Sequence, residues 1–305
     1  MTVAFGLDTV IDGAVRLAID AMATRFELVL FGPRAAGEEA LAEITRLEAR
    51  LSRFRPGSDV SWINAHAGHR AVKVEPSLFA LLQRSVDISR ATAGAFDVTV
   101  GPLMQAWKDL QGHPGALPSP TLMAGARTCV GCQHLHLDAR ASTARFEREG
   151  MSLDLGAVGK GYAIDMAIGV LRAQGVTGAL LHGGTSSVHA IGRPPHAAAW
   201  RIAWAPDGFA PRVFDLRDSA LSVSAIHGRS FEIGGRRYAH VIDPRTAMPA
   251  SAAISAIVTG PASLECDALS TALLVHGPDW LPTLRSTFPG YDGAVAPTIE
   301  VALKR

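Results

Sequence analysis

The chain has 305 residues, of which 48% are hydrophobic and 19% are charged, the balance of a folded globular protein. Lys and Arg number 29 against 28 Asp and Glu, so no basic excess points to binding of nucleic acid. No apolar run is long enough for a membrane span. Residues 1–20 lack the basic start of a signal peptide, so we expect a cytoplasmic protein, or an exported one if the sequence is already processed.

The first part of the chain predicts a strand, two amphipathic helices and a loop. Residues 24–32 alternate as in a strand, and residues 38–52 place leucine and isoleucine at helical spacing. Residues 76–94 predict a second helix, with Ser77 as its N-cap. The Gly- and Pro-rich stretch 111–120 predicts a surface excursion.

The sequence contains three cysteines, two of which form a CxxC pattern. Cys129 and Cys132 are followed by His134 and His136, which alternate with leucines as on the polar face of a strand. A zinc site needs four ligands with workable geometry, and a redox pair is the other alternative. The alternation favours a structural or incidental role over both.

From residue 134 onward, short strands dominate the predicted elements. Two helices are predicted at residues 159–175 and 264–275. The predicted strands are 134–138, 143–148, 151–155, 179–182, 187–191, 200–205, 212–216, 220–225 and 254–260, with a hairpin at 230–243 and a final strand at 298–305. Because strands often follow one another directly, we predict an α+β fold with a largely antiparallel sheet and packed helices.

The segment LECDALSTALLV (264–275) predicts a buried helix that carries a polar stripe. Asp267, Ser270 and Thr271 stand at i, i+3 and i+4, which places them on one helical face. In one interpretation the hydroxyls bond back to the preceding turn while the carboxylate reaches solvent. In the other, the oxygens bind a hard cation such as Mg²⁺. The helix alone does not decide between them.

The segment LDLGAVGKGYAID (153–165) predicts a strand end, a glycine-bearing turn and a helix that starts near Lys160. Free N–H groups and the positive end of a helix suit a phosphate, and Lys160 adds a cation. The spacing matches neither a Rossmann fingerprint nor a Walker A loop. Ordinary packing of a strand against a helix explains the glycines equally well.

Two further segments contain candidate polar groups. In YAHVIDPRTAMPA (238–250), His240 is a candidate general base and Arg245 a candidate phosphate ligand. The alternative is that Asp243 initiates a turn and His240 packs against the core. In TAGAFDVTVGPL, Asp97 has the pattern of an Asx turn at a helix exit.

Several blocks, in this order, are similar to one known family. They read AMATRFELVLFG, LSRFRPGSDVSWINAHAG, TAGAFDVTVGPLMQAW, LDLGAVGKGYAIDMA, LLHGGTSSVHAIG, YAHVIDPRT and CDALSTALLVHG. The chain resembles the ApbE family of FAD:protein FMN transferases over nearly its whole length. The resemblance implies two lobes in one compact unit, a single domain over residues 1–305.

The resemblance also implies roles for individual residues. The Mg²⁺ ligands would be Asp267, Thr271 and a backbone carbonyl in the glycine turn, best matched by Ala157. His240 and Ile242 lie in the block beside the flavin, and Lys160 would hold the pyrophosphate. The implied FAD contacts are Met22, Ala95, Phe96, Asp97, Asp154, Lys160 and Ile242.

The implied activity is Mg²⁺-dependent transfer of the FMN moiety of FAD to a Thr or Ser hydroxyl of an acceptor protein, with release of AMP. His240 would take the hydroxyl proton. The alternatives are an FAD pyrophosphatase, with water as the acceptor, and a non-catalytic flavin-binding protein. One block departs from the family pattern, because Thr185 follows Gly183-Gly184 where many members carry an acidic residue. We expect this change to affect the acceptor preference more than the metal.

Overall fold

A seven-stranded antiparallel sheet organises the chain in this computed structural model, which describes residues 2–5, 13–108, 118–226, 230–233 and 236–298. Only the backbone is described at 2–5, 108, 230–233 and 236–239. The helices within these ranges are α1 (Arg34–Leu51), α2 (Asp59–His66), α3 (Pro76–Ala91), α4 (Gly101–Lys108), α5 (Pro120–Thr128), α6 (Gly159–Ala173), α7 (Ser263–His276) and α8 (Leu281–Thr287).

The strands are short and fall mostly where the sequence predicts them. They are β1 (Thr2–Phe5), β2 (Val15–Ala21), β3 (Thr24–Leu30), β4 (Val72–Lys73), β5 (Leu135–Asp138), β6 (Thr143–Phe146), β7 (Ala179–Gly183), β8 (Ser187–Ile191), β9 (Trp200–Ala205), β10 (Arg212–Leu216), β11 (Ser219–Ala225), β12 (Ser230–Ile233), β13 (Arg236–Ala239), β14 (Ile242–Asp243), β15 (Met248–Pro249), β16 (Ala253–Gly260) and β17 (Asp292–Pro297). The main sheet has the order β17-β16-β11-β8-β7-β3-β2, and each neighbouring pair is antiparallel.

Both faces of the main sheet are covered, which explains why its central strands are apolar on both sides. Alternation sends Leu181 of β7 into the core beneath α1, α6 and α7, and Leu180 into a second core. That second core lies under the small sheet β1-β9-β10, which contributes the buried rings of Trp200 and Trp204. The main sheet therefore lies between a helical layer and a smaller sheet.

A second lobe is built from α2, α3, α4, α5 and the small sheet β4-β6-β5. It shares the helical-side core with the main sheet. Arg50 of α1 pairs with Asp59 at 2.7 Å and Glu75 at 2.8 Å, and Arg84 of α3 pairs with Glu265 of α7 at 2.7 Å. The prediction of an α+β fold with a largely antiparallel sheet, packed helices and two lobes is confirmed. A single domain over 1–305 stays a prediction.

Two local predictions are wrong. Ser77 is not the N-cap of α3: Glu75 caps it, accepting hydrogen bonds from the backbone N–H groups of Ser77 and Leu78, and Pro76 begins the helix. The predicted strand at 151–155 contains only an isolated bridge at Ser152. Its backbone groups are instead bonded to other partners, as described below.

Some predictions fall on residues that the structure does not describe. Residues 111–117 of the expected surface excursion lie outside the described ranges, and the last residue of that stretch, Pro120, begins α5. The hairpin of β12 and β13 is confirmed, while its turn at Gly234-Gly235 lies outside. Residues 299–305 of the predicted final strand also lie outside. β17, which pairs with β16, precedes them.

Within the described part of the chain, none of the helices combines the length and the apolar character needed to cross a lipid bilayer.

Candidate active site

The N-termini of α6 and α7 meet in the helical layer, and this contact assembles the polar cluster at the centre of the candidate site. A Cβ placed on Gly161 would lie 2.2 Å from the Ser263 carbonyl oxygen and 2.9 Å from the Cβ of Asp267. Asp165 of α6 accepts hydrogen bonds from the backbone N–H groups of Ser263 and Leu264, both at 2.8 Å. Each helix thus stabilises the start of the other.

Asp267 is the anion of this cluster, and only 3% of its surface is exposed. Its Oδ2 accepts a hydrogen bond from the Gly161 backbone N–H at 3.1 Å and lies 3.5 Å from the Lys160 Nζ. Its Oδ1 lies 3.3 Å from the Ser187 hydroxyl and 3.2 Å from the Ser222 hydroxyl. The carboxylate is therefore a buried charge with a donor or cation on every side, as a buried charge requires.

The other two residues of the predicted stripe lie on the same face of α7. The Ser270 and Thr271 hydroxyls donate to the Asp267 backbone carbonyl at 3.0 and 3.2 Å. They also contact the Ser224 hydroxyl, at 2.9 and 3.2 Å respectively. The back-bonding interpretation is therefore correct for the hydroxyls, but the carboxylate does not reach solvent.

The glycine turn before α6 is held by Asn64 of α2 and by Arg53, which lies in the connection between α1 and α2. Asn64 forms a pair of bonds with the Leu153 backbone, accepting at 2.7 Å and donating at 3.0 Å. Arg53 pairs with Asp154 at 3.0 Å, and Asp154 in turn accepts the Gly156 N–H at 2.8 Å. These bonds replace strand pairing at 151–155 and turn Asp154 toward the turn, where Ala157 is half-buried.

The chemistry of the donor set fits a hard cation. A carboxylate and a hydroxyl one helical turn apart, at Asp267 and Thr271, are oxygen ligands of the kind that Mg²⁺ prefers. The described residues contain no cluster of three or more His, Cys, Asp or Glu side chains able to hold a metal. A site made of one carboxylate, one hydroxyl and one backbone carbonyl, as predicted with Ala157, does not need such a cluster.

Met22 lies in the two-residue turn between β2 and β3. Met22 and Ala23 both have positive φ, at 50° and 56°, a pair typical of a tight hairpin but costly for residues other than glycine. Glu48 of α1 accepts the Met22 N–H at 2.6 Å and so holds this turn in place. Backbone strain of this kind is common at functional positions.

The segment Ala95–Asp97 is buried, and its side chains have partners within the protein. Phe96 is 2% exposed and packs in the core. Asp97 accepts the Thr99 N–H at 2.8 Å, which confirms an Asx turn, and also accepts the Cys132 N–H at 2.8 Å. A ligand would therefore reach this segment through its backbone or its shape, and the predicted FAD contacts stay predictions.

His240 and Ile242 lie at and after the end of β13. His240 is half-buried, whereas Ile242 is buried in a small core with Trp107 and Ala247. Arg245 forms two side-chain bonds to Asp243, at 2.9 and 3.0 Å, and Asp243 also accepts the Arg245 N–H at 2.9 Å. Asp243 thus initiates the turn, and Arg245 is already paired with a carboxylate. The general-base role of His240 stays a prediction.

The cysteines support the structural interpretation. Cys132 is buried, and burial, followed by the charge of Asp97, raises the pKa of its thiol. Cys129 is half-buried and donates to the Glu149 carbonyl at 3.4 Å. All three cysteines are free thiols.

Sequence reasoning missed the hydroxyl partners of Asp267 and Thr271. Ser222 and Ser224 belong to β11, whose sequence SALSVSA was interpreted only as a strand. The available signal was two serines at i and i+2, on one face of a strand that is otherwise apolar. Ser187 follows the Gly183-Gly184 turn, so the segment that departs from the family pattern leads directly to a contact with Asp267.

Solved structures with this architecture cover almost the whole chain. An ApbE protein of Thermotoga maritima matches with a TM-score of 0.83 and 26% identity, covering 95% of this chain and 98% of that one. The apo form of the Pseudomonas stutzeri flavinyl transferase ApbE matches with a TM-score of 0.80 and 27% identity, covering 93% and 94%. The fold is that of the ApbE proteins.

Sequence comparison leads to the same family. The ApbE family model matches residues 22–293. The FAD:protein FMN transferase of Treponema pallidum is 33% identical over 276 residues, 85% of this chain and 76% of that protein. The FAD:protein FMN transferase of Klebsiella pneumoniae is 28% identical over 286 residues, 89% and 79% respectively. The chain belongs to the ApbE family, and these relatives are enzymes.

Proposed function

We propose that this protein is an FAD:protein FMN transferase, which moves the FMN moiety of FAD onto a Thr or Ser hydroxyl of an acceptor protein and releases AMP. The observation that carries the proposal is the buried Asp267 carboxylate, set against Lys160 and the N-terminus of α6. A site for a cation thus adjoins a site for a phosphate, as a pyrophosphate substrate requires. The names of the relatives supply FAD as the substrate and a protein as the acceptor.

The residues that would hold Mg²⁺ are Asp267, Thr271 and the Ala157 carbonyl. When bound, Mg²⁺ would neutralise charge on the pyrophosphate as it builds up during transfer. The protein already holds the Asp267 carboxylate in place, because three hydrogen-bond donors and Lys160 surround it. Little reorganisation would then accompany binding of the cation.

Lys160 and the start of α6 would bind the pyrophosphate. At the start of α6 the Gly159 N–H is bonded to the Leu155 carbonyl and the Gly161 N–H to Asp267, so an anion would be held mainly by Lys160 and by the positive end of the helix dipole. The FAD contacts in this proposal are Met22, Ala95, Phe96, Asp97, Asp154, Lys160 and Ile242. The buried side chains among them would position the flavin through packing and backbone groups.

The transfer itself is a substitution at phosphorus. The acceptor hydroxyl oxygen forms a bond to the phosphorus of the FMN half, and the bond from that phosphorus to the bridging oxygen breaks, so that AMP leaves. His240 takes the proton of the attacking hydroxyl. Because the protein does little covalent work in such a reaction, positioning and charge supply most of the rate enhancement.

Mass spectrometry of an acceptor tests the proposal. The purified chain is incubated with FAD, Mg²⁺ and a candidate flavoprotein subunit from the same organism, and both protein mass and free AMP are measured. A covalent FMN adduct with one AMP per adduct supports the transferase. Release of AMP and FMN without an adduct would make the protein a pyrophosphatase, and bound FAD without either product would make it a flavin-binding protein.

A further inference from the structure

Strand β11 presents two serine hydroxyls to α7 at the spacing of the two predicted metal ligands. Ser222 and Ser224 are two residues apart on a strand, about 6.6 Å. Asp267 and Thr271 are four residues apart on a helix, about 6 Å. The near-equal spacing allows one-to-one pairing, and the structure shows it: Ser222 lies 3.2 Å from Asp267 and Ser224 lies 3.2 Å from Thr271.

The protons of Ser222 and Ser187 form a short relay toward Asp267. The two hydroxyl oxygens are 2.8 Å apart, and each is within 3.3 Å of Asp267 Oδ1. Each serine has one proton, and the Ser222 hydroxyl also has the Ser186 carbonyl oxygen within reach, so its proton is shared among three acceptors. Ser187 donates to the Asp267 carboxylate. A buried anion favours this direction, because a hydrogen bond to a charged acceptor is stronger than one to a neutral acceptor.

The relay acts on one oxygen of the carboxylate only. Oδ1 faces the serines, while Oδ2 faces the Gly161 N–H and the Lys160 ammonium. Ser222 is fully buried and also lies 3.0 Å from the Ser186 carbonyl oxygen, so its own position is fixed by the sheet. β11 therefore helps to fix the rotation of the Asp267 side chain, together with Ser187 of β8 and the start of α6.

Ser224 contacts Thr271 as Ser222 contacts Asp267. The Thr271 hydroxyl donates to the Asp267 carbonyl within its own helix, which leaves its oxygen lone pairs for other partners. Ser224 contacts this oxygen and the Ser270 oxygen, at 3.2 and 2.9 Å. Its position in β11 thus fixes the rotamer of the second predicted ligand.

We propose that Ser222 and Ser224 are positioning residues that preorganise Asp267 and Thr271 for a divalent cation. This inference rests on the proposed function, because it takes these two residues as metal ligands. Residues that hydrogen-bond to a metal-ligating side chain orient it, and their loss commonly weakens metal binding about 10- to 100-fold. The expected effect therefore lies in affinity rather than in chemistry at saturating metal.

Calorimetric titration with Mn²⁺ alone, without FAD, tests the inference. We expect Ser222→Ala and Ser224→Ala each to weaken Mn²⁺ binding about 10-fold or more. The matched control is Ser85→Ala, because Ser85 is equally buried but donates only to Leu81 within α3. We expect this control to lower the melting temperature and to leave the Mn²⁺ affinity unchanged. Where an alanine variant does not fold, Ser222→Cys keeps most of the volume and replaces the hydroxyl by a weak donor.

Three further results separate the possible outcomes. Ser222→Thr retains a hydroxyl and should restore most of the affinity, which a purely packing role would not predict. Equal Mn²⁺ affinity in the wild type and both alanine variants would overturn the inference and leave the proposed function intact. No Mn²⁺ binding by the wild type would overturn the metal site of the proposed function, and the inference with it.

Discussion

Asp267 is stable as a buried residue because its partners are distributed over three different elements. Gly161 and Lys160 belong to α6, Ser187 to β8 and Ser222 to β11. A buried carboxylate without such partners would cost several kcal/mol. The same partners tolerate an amide, whose oxygen can accept the Gly161 N–H while its NH₂ group faces the serine oxygens.

The Asp267→Asn variant should fold but lose activity. The amide keeps the shape and removes the charge, which a hard cation requires most. We expect FMN transfer to fall about 100-fold or more, equivalent to about 2.7 kcal/mol. Turnover is measured across a Mg²⁺ titration, and the melting temperature of the free protein serves as the folding control. A variant with unaltered turnover and unaltered Mg²⁺ dependence would show that Asp267 is not a ligand.

Lys160→Met should separate catalysis from folding. The ammonium lies 3.5 Å from Asp267, and the carboxylate keeps the Gly161 N–H, Ser187 and Ser222 when the lysine is lost, so stability should fall less than turnover. Loss of a cation beside a pyrophosphate should cost the reaction about 2–4 kcal/mol, a hundredfold or more in turnover. Arg at this position should restore turnover only in part, since a planar fork does not replace a compact ammonium.

The control for Lys160→Met is Lys73→Met. Lys73 is exposed in β4 of the second lobe and donates to the Ala141 carbonyl at 2.7 Å. Turnover should be unchanged in this control. Full turnover in the Lys160 variant would place the phosphate elsewhere, and a large loss of thermal stability in the absence of FAD would make Lys160 structural.

Among the secondary-structure elements, the contact between α6 and α7 determines whether the site exists. Gly161 allows the Ser263 carbonyl to approach the α6 backbone, and Asp165 of α6 accepts the first N–H groups of α7. His189 of β8 adds a contact to the Ser263 hydroxyl at 2.8 Å. The relative position of the two helices therefore depends on a few atoms near their starts.

Two alanine substitutions in α6 should have opposite effects. Gly161→Ala would place a methyl group 2.2 Å from a backbone oxygen, so the helices must separate, at a cost of about 1–3 kcal/mol and most of the activity. Gly169→Ala is the matched control, because its Cβ would meet no atom within 4 Å. It should stabilise the helix by about 0.5–1 kcal/mol. Chemical denaturation measures the free energy of unfolding of both variants. If Gly161→Ala left this free energy and the activity unchanged, the close contact would not be essential.

The N-cap of α3 predicts a pH-dependent contribution to stability. The hydrogen bond from the Ser77 hydroxyl, with further bonds from Arg50 and the Leu78 N–H, lowers the pKa of Glu75 from 4.5 to about 2. Because the folded-state pKa is lowered, the stabilisation is present above about pH 4.5 and is lost as the pH falls toward 2.

Glu75→Gln should therefore destabilise the protein by about 0.5 kcal/mol at neutral pH, a small value because Glu75 is exposed. The difference from the wild type should shrink as thermal melts are repeated from pH 7 to pH 3. Glu38→Gln, which removes an exposed pair with Arg34 on α1, is the control and should show a smaller change. A difference that stays constant with pH would contradict the assigned capping role.

The elements were predictable from sequence where one residue pattern determined them. The short, almost wholly buried segments of β7, β8 and β11 and the helical spacing of α1 and α7 reflect burial in the core, and these elements lie where they were expected. The 151–155 segment failed because long-range bonds from Asn64 and Arg53 override its strand-like composition.

The arrangement of the candidate site was only half predictable. The stripe of α7 was visible because its residues are close in sequence. Its partners Ser222 and Ser224 were not, because strand order and register decide which side chains face α7, and neither can be obtained from local spacing. The contact between Gly161 and Asp267 joins residues 106 positions apart.

At the scale of the whole molecule, the proposed site draws on both lobes and on segments from Met22 to Thr271. A ligand that binds such a site binds only the folded state, so it stabilises that state by mass action. FAD with Mg²⁺ should bind near one to one. At about 100 times its Kd it should add about 2.7 kcal/mol to the free energy of unfolding.

Calorimetry measures the binding of FAD, and thermal melts measure the stabilisation that this binding causes. The Asp267→Asn variant is the control, because we expect its melting temperature to rise less with FAD and Mg²⁺ than that of the wild type. If the wild type showed no heat of FAD binding at moderate salt with Mg²⁺ present, the assignment of FAD as substrate would be wrong.

The position of α7 near the end of the described chain has a consequence for synthesis on the ribosome. Asp267 leaves the ribosome after α6, β8 and β11. Its partners on these elements, Lys160, Ser187 and Ser222, therefore emerge before the carboxylate that they surround. Domains generally fold as units, and here the helix-facing side of β11 and β16 has no cover until α7 emerges. We therefore expect ribosome-bound chains that stop before α7 to be incompletely folded and to depend on chaperones. Cation and flavin would be acquired only after α7 has emerged and packed against the sheet.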